Sequence, residues 1–541
     1  MMDYPQHRIP MSRLPRIIRI AGIGICLALV LAYCIEWLAG PTLVIFEWDS
    51  GGYVHIGLIL NQGADLDVRS DRTFGYPLFL ALVLRLSASF VHVPTAQMLF
   101  VAGAALLAAI AISVAAPAES RNSVAMALLQ AGLSVLAVVG LLSYQPLTNA
   151  AHELIPEALY TFLATAALLL TSLVLLQRYP PPILVGLYFV GTLVSTYAYY
   201  VKPHWGAAML FTWTAMTFGL IAATWKMRRG SIILPGIALA GSIVLPLCFA
   251  VLQNSLDERS PYARTFGPLT LLCNHANLIA PIIDNVVVPP DSAARIRGVL
   301  EKTAAGGPKG WNVLGLNGDY CIYETPITEY LGDIKGGREA MRRFMLRAFY
   351  AGVLNDPGAY AAKVIRQIRY ALQNPFPNIS QLRGGNPEIY RNIFDGNNTH
   401  WGTVIIPTAS SLQGHTPRPL MTGIPVIDAF APWLLQFTNR HAGIVWSLIP
   451  ILLLSTGLRI LWTHRIGDSV WSVLPVPLVG GVYLSSTVVV ALAHTFDISR
   501  YREAIAPLAV VFMAVVVLHL MWHVMLFARR VPVAIRQRAS I

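Results

Sequence analysis

The sequence predicts an all-α polytopic membrane protein with about ten transmembrane helices, surface helices in the first outer loop, and a mixed soluble domain outside the membrane. Two observations carry this. Of 541 residues, 55% are hydrophobic and only 12% are charged, about half the charged share of a soluble domain. The apolar residues also fall in runs near 20 residues, the length that crosses a bilayer as a helix. The net charge of +12 follows from Lys and Arg clustered in short loops between these runs. No basic stretch interleaved with aromatics marks a nucleic-acid surface.

The spans are expected at 18–38, 95–117, 124–143, 156–176, 183–201, 206–225, 231–252, 442–462, 470–493 and 504–527. The first follows Arg8, Arg13, Arg16 and Arg19 and reads as an uncleaved anchor, because Tyr33 stands where a cleavage site wants a small residue. A shorter run, 76–91, carries Arg85. If it spanned, "KMRRG" (226–230) and "RRVPVAIRQR" (529–538) would move outside, against the positive-inside bias. It is therefore read as a surface or dipping helix. Both termini then lie in the cytoplasm, in a chain assigned to a plasma membrane of bacterial inner-membrane type.

Three regions result: a transmembrane module at 1–252 with a first outer loop at 39–94, an extracytoplasmic domain at 253–441, and terminal helices at 442–541. Within the domain, 338–375 has apolar residues at helical spacing and reads as two helices broken near Asn355–Asp356–Pro357. Cys273 and Cys321 share this loop, and sequence alone leaves open whether they pair.

The charged residues of the outer hairpins are the candidates for chemistry. In "FEWDSGGYVHIG" (46–57), Asp49 stands at the membrane edge beside Trp48. A helix N-cap explains an Asp. It does not explain Gly51–Gly52, poor first-turn residues that instead let a ligand approach the backbone. Ser50 and Tyr53 flank this point, with Tyr53, Ile56 and Leu60 on one face. In "RTFGYPLFLALVLRL" (72–86), Arg72 precedes Tyr76 and a helix expected to start at Pro77. An outward Arg suits a phosphate or a snorkelling anchor. In "NAAHELIPEALYTF" (149–162), Glu157 opens a span, where the helix dipole also favours an acid. Lys202 is the charge of "YYVKPHWG" (199–206), and Arg500–Tyr501 precede the last span in "HTFDISRYREAIAP" (494–507).

All five hairpins fall on one side. Acids Asp49 and Glu157 with cations Arg72, Lys202 and Arg500 suit a reaction in which a lipid phosphate leaves and an acceptor hydroxyl attacks. A carrier for a lipid-linked sugar is the alternative that intramembrane charge and broken spans allow.

The motifs "WDSGGYVHIG…RTFGYPLFLALVLRL", "IPEALYTF", Lys202–Pro203 and "SRYREAIAP" resemble, in order and sidedness, those of the polytopic GT-C glycosyltransferases, especially the branch with protein O-mannosyltransferases and the lipid A aminoarabinose transferase. The likeness covers the first 230 residues and 494–510. It departs at Lys202, where arginine is usual, and in 253–441. It implies a polyprenyl-phosphate sugar donor, an acceptor hydroxyl on a lipid, glycan or protein, and inversion by single displacement. Asp49 matches the family's general base and Glu157 its second acid. Ser50, Tyr53, Arg72, Tyr76, Lys202, Arg500 and Tyr501 fall on the substrate side. Asp49 and Glu157 offer oxygens to a divalent ion, but two acids are too few to require one.

Overall fold

A computed structural model of the chain describes residues 13–39, 44, 50–62, 72–87, 90–176, 180–211, 213–214, 233–257, 265–286, 290–306, 318–376, 425–463, 475–494 and 500–539. The long elements are helices throughout: α1 (Arg13–Ala39), α2 (Ser50–Gln62), α3 (Gly75–Ser87), α4 (Val93–Ala115), α5 (Val124–Leu142), α6 (Glu157–Leu176), α7 (Pro181–Val201), α8 (Ile233–Asp257), α9 (Phe266–Asn274), α10 (Pro290–Ala304), α11 (Gly337–Asn355), α12 (Pro357–Gln373), α13 (Pro425–Thr463), α14 (Pro475–Ala493) and α15 (Ala506–Ala539). Among the described residues, seven helices are long and apolar enough to cross a membrane: α1, α4, α5, α6, α13, α14 and α15. Each coincides with an expected span. Of the other three, 183–201 lies in α7 and 233–252 of the second in α8, neither of which is among those seven, while of 206–225 only 206–211 and 213–214 are described.

Local chemistry starts these helices where it should. Ser123 accepts from the Met126 amide at 3.3 Å at the start of α5, and Pro94 occupies the first turn of α4. Asp356 caps α12 through the Ala359 amide at 2.8 Å, with Pro357 next. The expected break between α11 and α12 thus falls at Asp356.

Packing inside the bundle relies on small residues. Ala104, Ala105, Ala108, Ala109 and Ala111 of α4 are fully buried, which brings α4 against α6, α5 and α1. Leu31, Ile35 and Leu38 of α1, and Leu453 and Leu454 of α13, are exposed apolar residues, as a lipid-facing surface requires. Arg19 of α1 donates to the carbonyls of Arg121 (2.7 Å) and Ser120 (3.2 Å) at one end of the bundle. The ends of α6 and α7 that carry Glu157 and Lys202 lie at the other.

The expected helix start at Pro77 is corrected. The helix begins at Gly75, because the Leu78 amide already reaches the Phe74 carbonyl at 2.8 Å. Gly75 also permits a crossing: a Cβ there would stand 2.5 Å from the backbone carbonyl atoms of Tyr200 in α7, and Tyr197 donates to the Gly75 carbonyl at 2.8 Å. Backbone cannot move aside cheaply. Gly75→Ala is expected to cost about 1–3 kcal/mol, read as a fall in unfolding temperature of the purified protein.

The described part of 253–441 is helical, so the mixed domain expected from sequence is corrected within those residues. α9, α10 and α11 enclose a second core containing Leu272, Ile279, Ile283, Ile296, Leu300, Phe344 and Met345. A disulfide joins Cys273 to Cys321 inside it. The next helical piece leaves α9 at 74°. At nine residues, α9 is only ~14 Å long, short of a ~30 Å hydrocarbon core. α12, which follows α11, packs on α13 and α14. The expected boundary at 441/442 lies inside α13, which runs unbroken from Pro425.

At the 74° bend, His275 is fully buried. Its Nδ1 donates to the Leu271 carbonyl at 2.8 Å and its Nε2 accepts from Lys363 Nζ at 2.8 Å, so the ring is neutral. Burial, and then the Lys363 charge, hold its pKa well below the ordinary imidazole value. The unfolded form takes up a proton below pH ~6.5 that the folded form refuses. This packing therefore contributes its full stability above that pH and loses it as pH falls toward the depressed pKa. Wild type is expected to unfold at a lower temperature at pH 5 than at pH 7.5, with the difference reduced in His275→Gln.

Candidate active site

The site is built where helix ends meet. Glu157 opens α6 just after Pro156, and Lys202 ends α7 just before Pro203. Their side chains form an ion pair at 3.1 Å with only 2% and 5% of their surfaces exposed. Lys202 Nζ also lies 5.3 Å from the centre of the Trp205 ring. An ammonium and a carboxylate this dry hold each other in place, because removing either strands the other's charge.

Tyr76 of α3 lies close to this pair. It is fully buried and donates to Gln97 Oε1 at 2.8 Å. The Gln97 amide then donates to the carbonyls of Glu153 (2.6 Å) and Ala151 (3.0 Å), fixing the turn that precedes Glu157. Burial, and after it the nearby Glu157 carboxylate, pushes the Tyr76 phenol well above its usual pKa. It stays protonated and keeps donating.

Tyr53 packs edge-on against Tyr76 with centroids 5.3 Å apart. Arg72 lies over Tyr53 and over Phe266 at the start of α9, 5.1 Å from each ring centre. The guanidinium thus bridges α2 and α9. The Gly51–Gly52 pair, expected to admit a ligand, sits in the first turn of α2. At Gly52 a Cβ would stand 3.2 Å from Arg72 Cγ, so the absent side chain gives room to the arginine stem. Ser50 is fully buried at the head of the same helix.

On the far side of Lys202, the Trp205 ring stands 5.4 Å from Tyr501. Thr161 of α6 donates to the Ala504 carbonyl at 3.1 Å, tying the turn before α15 to the helix that carries Glu157. Contacts therefore run from Arg72 through Tyr53, Tyr76 and Gln97 to the turn before Glu157, and from Glu157 through Lys202 and Trp205 to Tyr501. Asp49 lies outside the described residues, as does the side chain of Arg500.

No family model matches this sequence, and no curated protein does. Among solved structures, the crystal structure of ArnT from Cupriavidus metallidurans bound to undecaprenyl phosphate is similar, with 13% identity and a TM-score of 0.31 over 92% of this chain and 77% of that one.

Gln97, Trp205 and His204 belong to the site but escape sequence reasoning. Gln97 is a lone amide in an apolar run, a signal that was there to read. Trp205 and His204 are adjacent to Lys202, yet nothing in the sequence tells which neighbour of a charge faces inward. Among the described residues, no three His, Cys, Asp or Glu side chains gather as metal ligands.

Proposed function

We propose that the chain is an inverting glycosyltransferase that moves a sugar from a polyprenyl-phosphate donor to a hydroxyl of a lipid, glycan or protein acceptor, on the extracytoplasmic face. The observation that carries this reading is the buried Lys202–Glu157 pair, set among Tyr76, Tyr53 and Tyr501 at one end of an apolar bundle. An acid and a base held dry beside aromatic walls suit a sugar linked to phosphate: rings stack on the sugar face, and the ammonium meets the phosphate.

In this reading Asp49 takes the proton of the acceptor hydroxyl. The freed oxygen forms the new bond to the anomeric carbon as the carbon–oxygen bond to phosphate breaks, and the electron pair stays on the phosphate. Lys202, Arg500 and Arg72 neutralise the departing group. Glu157 sets the position of Lys202 and orients the acceptor.

The test is mass spectrometry of lipids carried through gentle purification of the intact protein. A polyprenyl-phosphate sugar bound in stoichiometric amount is expected, and addition of acceptor should convert it to the free polyprenyl phosphate. Uphill or exchange transport of that lipid across a vesicle wall, without cleavage, would establish the carrier reading instead.

A further inference from the structure

Away from the Lys202–Glu157 pair, α5, α13 and α15 leave a groove of about 240 Å³ between them. All three are apolar enough to cross a membrane. Leu133 and Ala137 of α5, Leu434 and Val445 of α13, and Val510 and Met513 of α15 line the groove. Phe376 adds to the wall and is clasped in place: its amide donates to Asn439 Oδ1 at 2.9 Å, and Asn439 Nδ2 donates back to its carbonyl at 2.5 Å. Leu136 and Phe437, also in the lining, are 38% and 49% exposed, so the groove opens on the outside of the bundle. Apolar walls of this kind repel water, and hydrocarbon is what a bilayer supplies to fill them.

Two polar groups at this groove say which lipid it suits. Arg440 lies eight residues into the apolar stretch of α13 that begins at Pro432, about 12 Å along the axis. It is exposed, and among the described residues no group pairs with it. A cation within a span calls for an anion, and its stem leans back toward the helix start, where headgroups lie. His441 lines the groove itself and is half-buried, its ring 4.2 Å from that of Phe437. Nδ1 donates to the Phe437 carbonyl at 2.8 Å, so in the neutral ring Nε2 is an acceptor. The groove thus offers a bed for a hydrocarbon chain, a cation for an oxyanion and an acceptor for a hydroxyl. A polyprenyl chain ending in a bare phosphate dianion has no hydroxyl to give. An anionic phospholipid with a hydroxyl in its headgroup meets all three.

We infer that the groove between α5, α13 and α15 holds such a phospholipid, with an acyl chain in the groove, its phosphate on Arg440 and its headgroup hydroxyl on His441 Nε2. The site is separate from the transfer pocket, since none of its three helices carries Glu157 or Lys202. It does not depend on the glycosyltransferase reading.

The experiment measures binding to the full chain in detergent by native mass spectrometry and thermal unfolding. The probes are dioctanoyl phosphatidylglycerol, phosphatidylmethanol and phosphatidylcholine with the same chains, glycerol phosphate, and a polyprenyl monophosphate. Phosphatidylglycerol is expected to bind about fivefold tighter than phosphatidylmethanol, which has the charge but no hydroxyl, and at least about tenfold tighter than phosphatidylcholine. Arg440→Gln should weaken phosphatidylglycerol about tenfold and leave phosphatidylcholine within about twofold. His441→Phe keeps a ring and should erase the preference over phosphatidylmethanol. Gly140→Leu should weaken all three phospholipids alike: a Cβ there meets only the side-chain ends of Leu434 and Leu435, at 3.7 and 3.9 Å, so the added bulk enters the groove. If that variant fails to fold, the exposed Arg440→Gln still reads the site. Equal binding of phosphatidylglycerol and phosphatidylcholine, or no loss on Arg440→Gln, overturns the inference. Glycerol phosphate binding as tightly as the lipid would mark a free-anion site, and polyprenyl monophosphate displacing phosphatidylglycerol at a lower concentration would mark a carrier site; either result also overturns it.

Discussion

Lys202→Met is expected to destabilise the bundle by about 3–5 kcal/mol and to abolish sugar transfer. The magnitude follows from burial: Glu157 would remain, nearly sealed from solvent, with its counter-charge gone. The double variant Lys202→Met, Glu157→Leu separates stability from chemistry. Replacing both partners with apolar groups removes the stranded charge, and such replacements are often neutral or stabilising. The double variant should therefore recover most of the unfolding temperature of wild type and none of its activity. Thermal unfolding of the purified variants, paired with a transfer assay, reads both. A single variant with an unchanged unfolding temperature would mean that water reaches the pair, and the dry pocket would have to be abandoned.

Asp49→Asn is expected to lower the transfer rate by a factor of about 10²–10⁴, the usual contribution of a general base, while expression, folding and donor binding persist. The reason is that Asn keeps the size of Asp and one acceptor oxygen but cannot take the proton. Kinetics with a saturating lipid donor, beside a direct binding measurement, distinguish a lost base from a lost binding contact. Retention of full transfer would remove Asp49 from this role, and equal losses in binding and rate would make it a binding residue.

These two residues also show how far the sequence could be read. The spans were legible because an apolar run of ~20 residues has one stable solution in a bilayer, a helix with its backbone bonds made internally. The break between α11 and α12 was legible because Asp356 and Pro357 end one helix and start the next by local chemistry. Glu157 and Lys202 stood out as charges in apolar surroundings, but their pairing was not legible, since 45 residues and two helices separate them. The same holds for Gln97, whose hydrogen bonds to Tyr76 and to the turn at Ala151–Glu153 depend on how α3, α4 and α6 pack. At Gly52 the missing side chain suggests room for a ligand, and the structure gives that room to the stem of Arg72. The Cys273–Cys321 disulfide was equally beyond reach, because two cysteines in one loop carry no information about their distance in space. What a sequence transmits well is local and periodic; what it hides is which distant side chains share a pocket.

The central claim is that the candidate residues share one pocket outside the membrane. Single cysteines at positions 49 and 500 test it most directly, in a background with Cys26, Cys34 and Cys248 replaced by Ser and the Cys273–Cys321 disulfide left oxidised. Both cysteines are predicted to react with a membrane-impermeant maleimide added to intact cells, and polyprenyl monophosphate is predicted to protect both. Reaction of one only after the membrane is opened would place the two on opposite faces and contradict the account.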